Sequence, residues 1–159
     1  MAMYERDVRV DAPLSDVWAF HSRVEGLEEL TPAWAGLRIE SVVGPDGAPD
    51  PGVLEPGARI RMSAGPPFLP GPRESWTSVI AEREERDGFA YFVDEMEGGP
   101  FASWRHTHLF YADSDDRTLI RDRVRYELPF GAPAALGRPG LDMMFRARHR
   151  RTREHFSGL

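Results

Sequence analysis

The 159-residue chain contains no cysteine, and it also lacks lysine, asparagine and glutamine altogether. The first absence excludes a disulfide framework, a thiolate nucleophile and any sulfur-ligated zinc. The second makes all 20 positive side chains arginine, so no Schiff base can form on a lysine and no phosphate loop can close on one. Without asparagine or glutamine, no side-chain amide contributes to a mechanism. Long apolar runs are missing too. No segment approaches membrane-spanning length, and the N-terminal MAMYERDV has neither the basic flank nor the apolar centre of a secretion signal. The expectation is a cytoplasmic protein with no integral membrane segment. Positive charge is also in deficit: the net charge of -6 favours solubility and argues against a nucleic-acid partner.

What remains is the composition of an ordinary globule, 41% apolar and 29% charged, at a length that suits one domain spanning residues 1–159. One stretch dominates the patterning: Phe101–Leu128, FASWRHTHLFYADSDDRTLIRDRVRYEL. Read with period two, Trp104, His106, His108 and Phe110 share a face, and after the turn cluster Asp113–Arg117 so do Ile120, Asp122, Val124, Tyr126 and Leu128. The opposite face carries Arg105, Arg121, Arg123 and Arg125. This predicts a long antiparallel hairpin with one wet, charged face and one mainly apolar face. The inward face holds three ionisable groups, which an ordinary core avoids. A lined cavity is therefore expected rather than a filled core.

Elsewhere the spacing predicts a strand over 3–10, a helix over 14–22 with Pro13 in its first turn, and a second short helix over 24–30 closed by Thr31-Pro32. Strands follow over 37–43, 58–64, 74–84 and 89–97. Two Gly- and Pro-rich loops interrupt them, and the second, Gly65–Arg73, carries Phe68 and Leu69 at its tip, as a lid or a plain surface loop would. The last helix, over 141–156, places Leu141, Met144, Phe145 and Phe156 at helical spacing, with Thr152 near the same stripe. It is the only long element able to cover the hollow side of a sheet that curls under its own twist. Its run FRARHRRTR, residues 145–153, reads first as a solvated face, with attraction to an anionic ligand or a membrane surface as the alternative, and Arg148 falls close to the apolar stripe.

The inward positions of the other strands add Ile60, Met62, Trp76, Ser78, Ile80, Phe92 and Asp94. Candidate ligand-binding residues are thus Met62, Trp76, Phe92, Asp94, Trp104, His106, His108, Phe110, Asp122 and Tyr126, an aromatic and aliphatic set with a few polar groups. If the turn centres on Asp115, His108 lies opposite Asp122. Four readings of His106, His108 and Asp122 stay open: a hydrogen-bond network aiming an imidazole at a ligand carbonyl or hydroxyl, general acid–base catalysis, a metal site completed by Asp122 or Asp94, and a structural pair. The first is preferred, and no metal or cofactor is assigned.

Gly99-Pro100-Phe101, then Trp104/His106/His108/Phe110, then Asp122/Val124/Tyr126/Leu128-Pro129, set in this order of elements, resemble the START / polyketide-cyclase-like (SRPBCC) helix-grip superfamily. The closest likeness is to its uncharacterised bacterial and archaeal ligand-binding branch. The resemblance implies an α+β fold: a curved antiparallel sheet of about seven strands wrapped around a long C-terminal helix, with two short helices after strand 1. It also implies a hydrophobic or amphipathic small-molecule ligand, of lipid, polyketide or quinone type, held between sheet and helix. Two other classes stay open: a cyclase- or dehydratase-type enzyme using a His–Asp pair, and a protein-interaction module. With no asparagine, glutamine or lysine, the chain departs from the polar groups such pockets often use.

Overall fold

The computed structural model describes residues 1–65 and 72–157. The loop tip with Phe68 and Leu69, expected as a lid or a surface loop, lies outside the described residues. Period-two alternation becomes strand throughout: β1 (Ala2–Val10), β2 (Arg38–Val43), β3 (Arg59–Ala64), β4 (Glu74–Arg86), β5 (Phe89–Gly98), β6 (Ser103–Ser114) and β7 (Arg117–Glu127). They form one antiparallel sheet in the order β1-β7-β6-β5-β4-β3-β2. Helices α1 (Leu14–His21) and α2 (Val24–Leu30) carry the chain from one edge of that sheet to the other. The long helix α3 (Arg138–Ser157) packs back on it. The fold is the seven-stranded helix-grip arrangement expected.

Two boundaries differ from the sequence reading. Helix α3 begins at Arg138 rather than near Leu141, because Pro139 in its first turn has no N–H to leave unsatisfied and its fixed φ already suits a helix. Strand β4 continues to Arg86, so the turn into β5 is the two residues Asp87-Gly88. Gly88 supplies the positive φ, 75°, that a tight hairpin turn requires.

The hairpin β6–β7 turns across Asp115-Asp116, and its register sets His108 opposite Asp122 and His106 opposite Val124. On the other side of β6, strand β5 sets Asp94 opposite His106 and Phe92 opposite His108. Four polar side chains are thereby gathered on three adjacent strands, all facing the helix.

The apolar interior forms two clusters. In one, α1 lays Trp18 edge-on against Phe110, with ring centroids 5.4 Å apart, beside Ile60, Ile80 and Phe92. In the other, α3 packs Leu141 and Phe145 onto Tyr4, Val124 and Tyr126. The histidines join the two: His108 stacks on Phe92 at 3.9 Å, and His106 meets Phe145 edge-on at 5.2 Å. No helix among the described residues is long and apolar enough to cross a membrane.

Candidate functional site

Alternation along β6 sends His106 and His108 to the same face, where their rings stack at 3.6 Å with 26° between planes. Their hydrogen bonds run diagonally. His106 Nε2 donates to Asp122 Oδ1 at 2.7 Å, and His108 Nε2 donates to Asp94 Oδ2 at 2.6 Å. The register is as expected, with His108 opposite Asp122, but the carboxylate that His108 bonds is Asp94. Physical reach explains the crossing. An imidazole extends past a carboxylate directly opposite, so its far nitrogen meets the diagonal neighbour. The near nitrogen of each ring stays 3.6 Å from the opposite carboxylate, His106 Nδ1 to Asp94 and His108 Nδ1 to Asp122.

Helix α3 completes the network. His149 Nε2 donates to Asp122 Oδ2 at 2.5 Å, while Trp104 Nε1 approaches Asp94 Oδ1 at 3.4 Å. All four carboxylate oxygens are thus occupied. Burial works to raise the Asp122 carboxyl, but the hydrogen bonds from His106 and His149 outweigh it and hold it well below the usual carboxylate range. For Asp94 burial is likewise overcome, chiefly by the bond from His108, and its carboxyl is lowered. Burial, followed by the neighbouring His106, pushes the His108 imidazole down to about 4, so that ring is neutral at ordinary pH.

A cavity of about 380 Å³ opens beside this network, between the sheet and α3. That volume lies within the usual range for small-molecule sites. Seven of the ten sequence-predicted residues line it: Met62, Trp76, Phe92, Asp94, Trp104, His106 and His108. The other three do not. Phe110 is fully buried beneath Trp18, because α1 closes that end of the sheet. Asp122 sits behind the imidazoles, bridging them to α3. Tyr126 packs in the second apolar cluster, with its hydroxyl donating to the Ala134 carbonyl at 2.8 Å.

Three site residues were missed from the sequence. His149 follows Phe145 by four residues, so helical spacing alone set it on the buried stripe. Arg148, read as part of a solvated face, borders the cavity. His21, one turn after Val17 on α1, also lines the cavity, and its Nδ1 donates to the Val17 carbonyl at 2.8 Å. Burial drives this imidazole down to about 3, which leaves a neutral ring.

Asp94, His106 and His108 bring one donor atom each within 4.8 Å of one another, the spacing of a possible metal cage. The rings, however, are stacked nearly parallel. Their in-plane lone pairs run side by side rather than converge, so both rings would have to turn before an ion could be held. The arrangement suits hydrogen bonding and proton transfer better than ligation.

A family model described as polyketide cyclase / dehydrase and lipid transport matches residues 10–153. Among solved structures, a START superfamily protein from Mycobacterium smegmatis superposes with a TM-score of 0.69 at 13% identity, covering 98% of this chain and 97% of that one. The di-domain ARO/CYC BexL of the BE-7585A biosynthetic pathway gives 0.63 at 21% identity, covering all of this chain and 47% of its own. Norcoclaurine synthase from Thalictrum flavum, in complex with dopamine and hydroxybenzaldehyde, gives 0.61 at 18% identity, with 97% and 87% covered. No curated protein matches the sequence. At these identities the structural likeness speaks for the fold alone.

Proposed function

The chain belongs to the polyketide cyclase / dehydrase and lipid transport family, and from that premise we propose that it binds an apolar or amphipathic small molecule in the cavity between sheet and α3. The observation that carries this reading is the asymmetry of the wall. Most of it is aliphatic or aromatic, from Met62, Trp76, Phe92, Leu141 and Phe145, while one patch presents the clustered His106, His108 and Asp94. An apolar body would be buried along the first part and a carbonyl or hydroxyl oriented at the second. A polyketide, lipid or quinone-like compound has that form. A neutral naphthylamine dye, N-phenyl-1-naphthylamine, is the simplest probe. Saturable binding of one dye per chain is expected; fluorescence that rises without saturation counts against the proposal.

A second reading follows from one feature, the neutral His108 ring held by Asp94. A histidine–carboxylate pair on a cavity wall is the kind of arrangement that a cyclase or dehydratase uses to move a proton to or from its ligand. Under this reading His108→Ala abolishes turnover of a poly-β-ketone substrate while the protein stays folded. Unchanged turnover in that variant would assign the pair to ligand orientation only.

A further inference from the structure

The arginine run of α3 divides by environment. Arg146 pairs with Asp142 at 3.6 Å, and Arg151 donates to the Glu29 carbonyl at 2.8 Å. Arg150 and Arg153 are exposed to solvent. Arg148 is different: it is partly buried, borders the cavity, and lies over the Phe145 ring at 6.0 Å from its centroid. Its guanidinium forms no hydrogen bond or salt bridge to any side chain among the described residues. The nearby carboxylates do not supply one, since both oxygens of Asp122 are taken by His106 and His149 and those of Asp94 by His108 and Trp104.

A guanidinium that borders a cavity, is only partly open to water and has no side-chain partner is free to pair with an anionic group that enters. The guanidinium offers a planar fork of donors matched to two oxygens of one anionic group. Burial lowers the affinity of Arg148 for its proton, and only the charges of Asp122 and Asp94, neither hydrogen-bonded to it, oppose this. His21 beside it is neutral and adds no charge. Arg23 also borders the cavity but is exposed, so water already serves it.

We infer that the ligand is an organic anion, an apolar body carrying a single carboxylate or enolate group, and that Arg148 binds that group. This deepens the cavity-binding proposal and rests on it. The negative group would meet Arg148 on α3, and the apolar body would lie across Phe92 and Trp76 on the sheet.

Two dyes of nearly the same shape test it: N-phenyl-1-naphthylamine, which is neutral, and 1-anilinonaphthalene-8-sulfonate, which adds one anionic group. The wild-type protein should bind the sulfonate more tightly by about tenfold or more, the scale of a charge-assisted hydrogen bond. Arg148→Met should remove that preference and retain the neutral dye, whose binding also reports that the variant is folded. Arg148→Gln should behave in the same way, and Arg150→Met should leave the preference intact. Equal affinity of the wild type for both dyes, or a preference that survives in Arg148→Met, overturns the assignment while leaving a cavity that binds apolar molecules. Failure of both dyes to bind the wild type overturns the cavity reading itself and the anion with it.

Discussion

Oδ2 of Asp122, on strand β7, accepts a 2.5 Å hydrogen bond from Nε2 of His149, on helix α3. The contact between helix and sheet is thus polar at its centre as well as apolar around it. Asp122 also holds His106, so one carboxylate ties together β6, β7 and α3.

Removing that carboxylate leaves two buried imidazoles without an acceptor. Asp122→Ala should lower unfolding stability by about 3 kcal/mol or more, since losing one member of a buried pair strands the other. Urea denaturation measures this. A loss below about 1 kcal/mol, the scale of an exposed pair, would mean the network contributes little to the fold.

Stability should also fall on mild acidification. His21 is held down to about 3 and His108 to about 4, both by burial first, against an unfolded value of about 6.5. As pH drops below the unfolded value, the unfolded chain takes up protons that the folded rings refuse. Each group then removes about 1.4 kcal/mol per pH unit until its folded pKa is reached. Asp94 and Asp122 act at lower pH: their depressed pKa values give stability above about pH 3.8 that is lost as they protonate. Denaturation at pH 7.5, 6 and 5 should give a steady decline, shallower in His21→Leu. Equal stability at pH 7.5 and 5 would contradict both assignments.

Filling the cavity should separate binding from folding. Ser78 lies on its wall, on β4. In Ser78→Trp the indole has room to enter a cavity of about 380 Å³, so the melting temperature should hold or rise while affinity for N-phenyl-1-naphthylamine falls at least about tenfold. Undiminished dye binding in a folded variant would place the dye elsewhere.

Gly99 precedes Pro100 at the entry to β6. Its φ is 86°, and an added Cβ would lie 2.9 Å from both Met96 Sδ and Trp76 Cβ. Gly88 has a similar φ of 75° but open space around it. Gly88→Ala should cost about 1 kcal/mol from backbone conformation alone, and Gly99→Ala more, because a contact is added to the same strain. Equal losses in chemical denaturation would show that Trp76 and Met96 give way freely.

The local pattern determined much of this protein. Strict alternation in WRHTHLF and IRDRVRYEL could build only strands with histidines and an aspartate inward, because side chains on a strand take opposite faces in turn. The turn at Asp115-Asp116 then set His108 opposite Asp122 by counting alone. Helical spacing likewise announced α3 and its apolar stripe. What the tertiary structure alone decided is which inward groups meet. Whether His108 bonds Asp122 or Asp94 depends on ring reach across three twisted strands, and that distance is not encoded in any local period. His149 and Arg148 are neighbours in a basic run that reads as solvated. The docking angle of α3 sends one to Asp122 and the other to the cavity wall. Phe110 and Tyr126 share the inward face with the histidines, yet α1 at one end and the segment around Ala134 at the other close over them. A face is a property of sequence; a void exists only where packed elements fail to meet.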